Sequence, residues 1–93
     1  MKKILILPSF ERSIKRLTSQ EKGLLRRSLE AFNSYLISGQ APFGFRFKKI
    51  NHDKYEFRMD IRMRVIVKME SDTFYLVLAG NHNEIRRYLR SYR

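Results

Sequence analysis

The sequence predicts an α+β fold: a small antiparallel-rich β-sheet with an N-terminal helical hairpin on one face and a short C-terminal helix, in the order β-α-α-β-β-β-β-α. Three observations predict it. Apolar residues recur at helical spacing between Phe10 and Leu36. From Arg46 onward the period falls to two. After Gly80, the pair Asn81 and Glu84 opens one more amphipathic segment.

Ile4 to Leu7 reads as a short buried strand, stopped by Pro8, with Ser9 placed to cap a helix. Phe10, Ile14 and Leu17 share one helical face. Thr18 and Glu21 form a capping box for a second helix, in which Leu25, Leu29, Phe32 and Leu36 make one stripe and Gly39 ends it. The two stripes turn inward, and Arg12, Arg16, Arg26 and Arg27 face out. "APFGF" is a loop containing Pro42 and Gly44. Four strand-like segments follow: "RFKKI", "YEFRMD", "RMRVIVKM" and "TFYLVLA". Their short links, "NHDK", a turn near Asp60 and Ile61, and "ESD", predict antiparallel hairpins. The last strand is apolar on both faces, which places it inside the sheet. In the final helix Ile85, Tyr88, Leu89 and Tyr92 fall on one face.

A chain of 93 residues suits one domain, 1–93, with a modest core. The absence of cysteine excludes disulfides, cysteine-ligated zinc and thiol catalysis. The apolar run in "MKKILILPSF" is too short for a membrane span and lacks a small-residue cleavage site. A cytoplasmic protein without a membrane partner is expected. Twenty Lys+Arg against nine Asp+Glu give a net charge of +11. Such an excess repels itself, and it fits a polyanionic partner: nucleic acid or an acidic protein segment.

The helical hairpin covers one face of the sheet. Alternation collects Glu56, Arg58, Arg62, Arg64 and Lys68 on the other. Arginine holds phosphate through two donors at once, so this face reads as a phosphate-binding surface. Tyr55, Phe57, Phe74 and Tyr75 are interleaved with these charges, and most of these aromatics are better explained as core. There is no P-loop, no G-x-G-x-x-G and no H-E-x-x-H. His52 and His82 lie too far apart for a local metal pattern, so neither metal nor cofactor is expected. What remains is metal-free chemistry on a phosphodiester. RNA carries its own nucleophile, the 2′-hydroxyl. A protein must take that proton, stabilise charge on the phosphoryl oxygens and protonate the departing 5′-oxygen.

With these residues in view, "KYEFRMDIRMRVIVKMESDTFYLVLAGNHNEIRRYL" resembles the C-terminal half of RelE/ParE-superfamily toxins. The shared pattern is a tyrosine-bearing strand, a turn, an RVIY-like strand (here "MRVIVK"), an acidic turn, a buried strand, then glycine and a short basic helix. "PFGFRFKKI" resembles the loop and basic strand that precede them. The resemblance implies the toxin of a toxin–antitoxin pair. RelE-like members cleave mRNA in the ribosomal A site without metal; ParE-like members poison DNA gyrase. Both are wrapped by an acidic antitoxin, through which such complexes reach operator DNA.

Residue by residue, Arg64 matches the arginine that contacts the scissile phosphate. Tyr88 stands eight residues after Gly80, as the catalytic tyrosine of RelE does after its glycine. His82 takes the place of a second arginine. Arg58 matches one of two strand lysines, and Glu56 occupies the other position, which leaves Glu56, His82 or Tyr88 as the candidate base. Arg46, Lys48, Lys49, Arg62, Lys68, Arg86, Arg87 and Arg90 are the candidate RNA contacts. Structural readings stand beside these. Glu56 fits a cross-strand partner of an arginine, Tyr88 fits packing with Ile85 and Leu89, and His82 fits a capping role. The expected function is a metal-free, ribosome-dependent mRNA endoribonuclease that inhibits translation. The alternatives are a ParE-like gyrase inhibitor or an inactive toxin homologue that binds antitoxin.

Overall fold

A computed structural model describes residues 3–40 and 44–91. Strand β1 (Lys3–Ile6) leads into α1 (Pro8–Lys15) and α2 (Ser19–Ser38). Strands β2 (Lys48–Lys49), β3 (Lys54–Arg58), β4 (Met63–Glu70) and β5 (Thr73–Asn81) follow, and α3 (His82–Ser91) is the last described element. The expected element order and α+β class are both present. The five strands form one mixed sheet in the order β1-β5-β4-β3-β2. Only β1 and β5 run parallel. β5 is an interior strand, as its two apolar faces require.

The local signals act where they stand. Thr18 and Glu21 exchange both capping-box bonds, and Gly39 closes α2 with φ 79°, a left-handed conformation that favours glycine. Ser9 does not cap α1. The helix already starts at Pro8, whose ring fits a first helical turn, and the N-cap Leu7 offers no side-chain acceptor. Pro42, in the preceding loop reading, and Tyr92 lie outside the described residues.

The core has two parts on the two faces of the sheet. Phe10, Leu25 and Phe32 of the helices pack on Phe57, Val65, Val67, Phe74 and Leu76. Phe32 and Phe57 are wholly buried, with ring centroids 4.8 Å apart. On the other face Ile66, Val77 and Ile85 form a second cluster, flanked by Leu7, Ile50, Leu78, Tyr88 and Leu89. That second face was read as wet and basic. The apolar flank of α3 roofs part of it instead, because Ile66 and Leu78 offer it an apolar seat.

A bulge makes both clusters possible. Ile66 pairs with Leu78 but Val67 pairs with Leu76, so β5 carries one extra residue, Val77. Leu76 and Ala79 thereby stay in the first cluster while Val77 and Leu78 join the second. Two serines of α1 serve the backbone there. Ser9 Oγ donates to the Val77 carbonyl at 2.6 Å, and the Ala79 amide donates to Ser13 Oγ at 3.0 Å. Ser13 is itself buried and donates to the Phe10 carbonyl. The buried Ser13 hydroxyl and Ala79 amide thus each have a partner.

Candidate functional site

The site is built where β5 becomes α3. β5 passes Arg64 of β4 at Gly80 and turns into helix at His82, two residues on. The turn is held reciprocally. Glu84 Oε1 accepts the Asn81 amide and Asn81 Oδ1 accepts the Glu84 amide, each at 2.9 Å. A Cβ on Gly80 would lie 2.9 Å from Glu84 Oε1 and 3.2 Å from Glu84 Cβ. Glycine is needed there so that the capping carboxylate can close over the strand end.

Between α3 and the β2–β3 side of the sheet lies a cleft of about 420 Å³. Ile50, Ile85 and Leu89 supply its apolar surface, and Glu56, His82, Arg86 and Arg90 its polar groups. His82 Nε2 is 2.9 Å from Arg86 Nη2, one helical turn away. Arginine has only donors, so Nε2 accepts and the imidazole proton sits on Nδ1 in this arrangement. Glu56 is buried, and its Oε2 lies 3.5 Å from Arg64 Nε and 3.8 Å from Lys48 Nζ. This is the cross-strand arginine partnership that the sequence offered as one reading of Glu56. It corrects the placement of Glu56 on an open face. A buried carboxylate needs paired cations, and two adjacent strands supply them.

The remaining candidates divide. Lys48 and Lys49 are exposed on β2, the edge strand. Arg46 is exposed with φ 51° in the coil before β2, so "RFKKI" forms a strand over only two residues. Lys68 faces Tyr75 across the ladder and pairs with Glu70 at 3.5 Å. Arg87 is exposed on the outer side of α3. Arg62 does not join the basic face. The Asp60 carboxylate accepts the Arg62 and Met63 amides, which draws Arg62 into the turn and interrupts the alternation. It borders a pocket with Thr18, Gln20 and Glu21 near the start of α2. Arg58 is the register partner of Arg64, yet it borders a separate cavity of about 170 Å³ with Leu24, Arg27 and Ser28. Its Nε is buried without a hydrogen-bond partner among the described residues.

Tyr88 does not line the cleft with His82. It packs, half-buried, against the second apolar cluster of Ile66, Val77 and Ile85. The side chains at positions 82 and 88 diverge by about 120° around the helix, since each residue turns it by about 100°. The sequence reading, for its part, missed Ile50 as a cleft residue. It sits at the end of a strand pattern, and no local signal marks it as facing a helix thirty-odd residues away. Among the described residues no group of three or more His, Asp or Glu stands close enough to hold a metal ion. No described helix is long and apolar enough to cross a membrane.

The fold that carries this cleft has solved precedents. No family model and no curated protein sequence matches the chain. Solved structures do. A metal-bound toxin from Helicobacter pylori is similar over 91% of this chain and 99% of its own, with TM-score 0.72 and 19% identity. The DinJ–YafQ complex from E. coli is similar over 91% and 98%, with TM-score 0.69 and 13% identity. The RelB–RelE antitoxin–toxin complex from Methanococcus jannaschii is similar over 90% and 96%, with TM-score 0.67 and 17% identity. At such identities the likeness is one of fold: this chain has the RelE-like toxin fold.

Proposed function

We propose that the protein is the toxin of a toxin–antitoxin pair and acts as a metal-free endoribonuclease on mRNA engaged by the ribosome. One observation carries the reading: a buried carboxylate, Glu56, lines a cleft with His82, Arg86 and Arg90 and lies 3.5 Å from Arg64 behind it. In this reading Arg64 stabilises charge on the phosphoryl oxygens during attack by the 2′-hydroxyl. A guanidinium already fixed by a partner loses little freedom when the charge develops. His82 exchanges the proton, as base toward the 2′-hydroxyl or acid toward the 5′-oxygen. Its Nε2, the nitrogen that would take the proton, accepts from Arg86 in the free protein, so Arg86 must release it before His82 acts as base. Glu56, engaged by two cations, serves orientation better than proton transfer. The product would be a 2′,3′-cyclic phosphate.

The antitoxin complexes among the similar structures support an antitoxin partner here too. With a net charge of +11, an acidic protein segment is its natural chemistry. Those structures give no support to the gyrase-inhibitor alternative. The experiment is to induce the protein in cells and map transcript 5′ ends. New ends within coding regions, absent when Arg64→Lys is induced at equal level, are the expected result. Intact transcripts in arrested cells would remove the ribonuclease reading.

A further inference from the structure

Glu56 sets one negative charge between two positive ones. Its distances to Arg64 and Lys48, 3.5 and 3.8 Å, are those of ion pairs rather than short hydrogen bonds. The three residues stand on three adjacent strands, and Lys48 is the register partner of Glu56. The two cations differ in surroundings: the Arg64 side chain is 18% exposed and the Lys48 side chain 67%. The carboxylate therefore fixes Arg64 in a largely dry place and keeps the ammonium only loosely at the surface. Within this triad one unit of positive charge is left uncompensated, next to the cleft that Glu56 itself lines.

We propose that Glu56 is an internal stand-in for a phosphate: in the free protein it holds Arg64 and Lys48 on one oxygen, and Lys48 leaves it for the phosphate when RNA arrives. The identity of the anion rests on the ribonuclease reading; the exchange rests on the triad. Lysine suits the exchange, being a compact charge with three rotatable donors on a flexible stem. Arg64 stays where it is. Glu56 is then a positioning residue with two opposed effects. It orients Arg64, which favours the reaction, and its charge repels phosphate, which disfavours binding.

A single-stranded RNA oligonucleotide carrying 2′-O-methyl groups separates binding from cleavage, because it lacks the internal nucleophile. Its affinity is measured by fluorescence anisotropy across a salt series. Glu56→Gln keeps the shape and removes the charge, and should bind about fivefold tighter. Cleavage of ribosome-engaged mRNA by the same variant should have both a lower KM and a lower kcat. Lys48→Ala should weaken binding and reduce the slope of log affinity against log salt by about one unit, while Lys48→Arg keeps both. Thermal melts confirm folding; should Glu56→Gln fail to fold, the two Lys48 variants decide. Binding by Glu56→Gln that is unchanged or weaker, an unaltered salt slope for Lys48→Ala, or a wild-type protein that does not bind the oligonucleotide each overturns the proposal. RNA binding that responds as expected while cellular transcripts stay whole would sink the ribonuclease reading and leave the exchange standing.

Discussion

Arg64 and Glu56 meet diagonally across β3 and β4, with Nε 3.5 Å from Oε2 and both side chains mostly out of water. Glu56 stands where the resemblance to RelE implies a lysine, and its neighbour is the arginine to which the proposed function assigns the phosphate. Removing Arg64 therefore tests chemistry and packing together. Arg64→Lys retains the charge beside Glu56 but lacks the planar fork. Cleavage should fall about 100-fold or more, with growth arrest lost. A melting temperature close to wild type separates that loss from unfolding.

His82 and Tyr88 occupy different flanks of α3, so their substitutions should part company. His82→Ala should abolish growth arrest and leave the melting temperature nearly unchanged, since His82 is exposed. Tyr88→Phe keeps the ring packed on the Ile66, Val77 and Ile85 cluster and should retain most of the activity. Transcript cleavage by the two variants checks both. Full toxicity of His82→Ala would remove it from the reaction.

Ser13 is the more sensitive of the two α1 serines. Ser13→Ala would leave the buried Ala79 amide without its acceptor, at a cost of about 1–3 kcal/mol. Urea denaturation should show the midpoint falling without a change in slope.

Gly80→Ala would press a methyl group onto Glu84 and break the reciprocal cap at the start of α3. Loss of the cap costs about 0.5–2 kcal/mol. Because His82 is the first residue of that helix, cleavage should drop along with thermal stability.

Asp53 links charge to pH. Burial acts to raise its pKa, but the hydrogen bond from Lys54 and the charges of Lys54 and Lys68 outweigh it and hold the carboxyl below its ordinary range. A lowered folded-state pKa means that the stabilisation is complete above the ordinary carboxylate value. It is lost as pH falls through the lower, folded one. Asp53→Asn should therefore be less stable than wild type near neutrality, with the gap closing in acid. The side chain is about one-third exposed, so solvent screening keeps the effect small. Urea midpoints against pH measure it.

Much of this was legible before any coordinates. Thr18 with Glu21 and Asn81 with Glu84 are contacts three residues apart, and such signals survive reading in one dimension. Period-two patterning revealed the strands, because burial on one face forces it. What failed was non-local. The bulge at Val77 depends on how β5 meets β4, and nothing within "TFYLVLA" announces it. Arg62 obeys the alternation on paper, but the Asp60 carboxylate gathers its backbone into a turn. Glu56 is polar and sits in an alternating strand, so it reads as solvated until the roof formed by α3 and its two cations come into view.

The pairing of β1 with β5 joins Lys3 to Thr73, and the α1 serines reach Val77 and Ala79. β1 thus finds its seat only after β5, far along the sequence, has been made. Closing so long a loop delays folding. Glu56 of β3 likewise lacks the opposite wall of its cleft until α3 has been made. Sheet order and cleft are thereby completed together, by segments that follow β4.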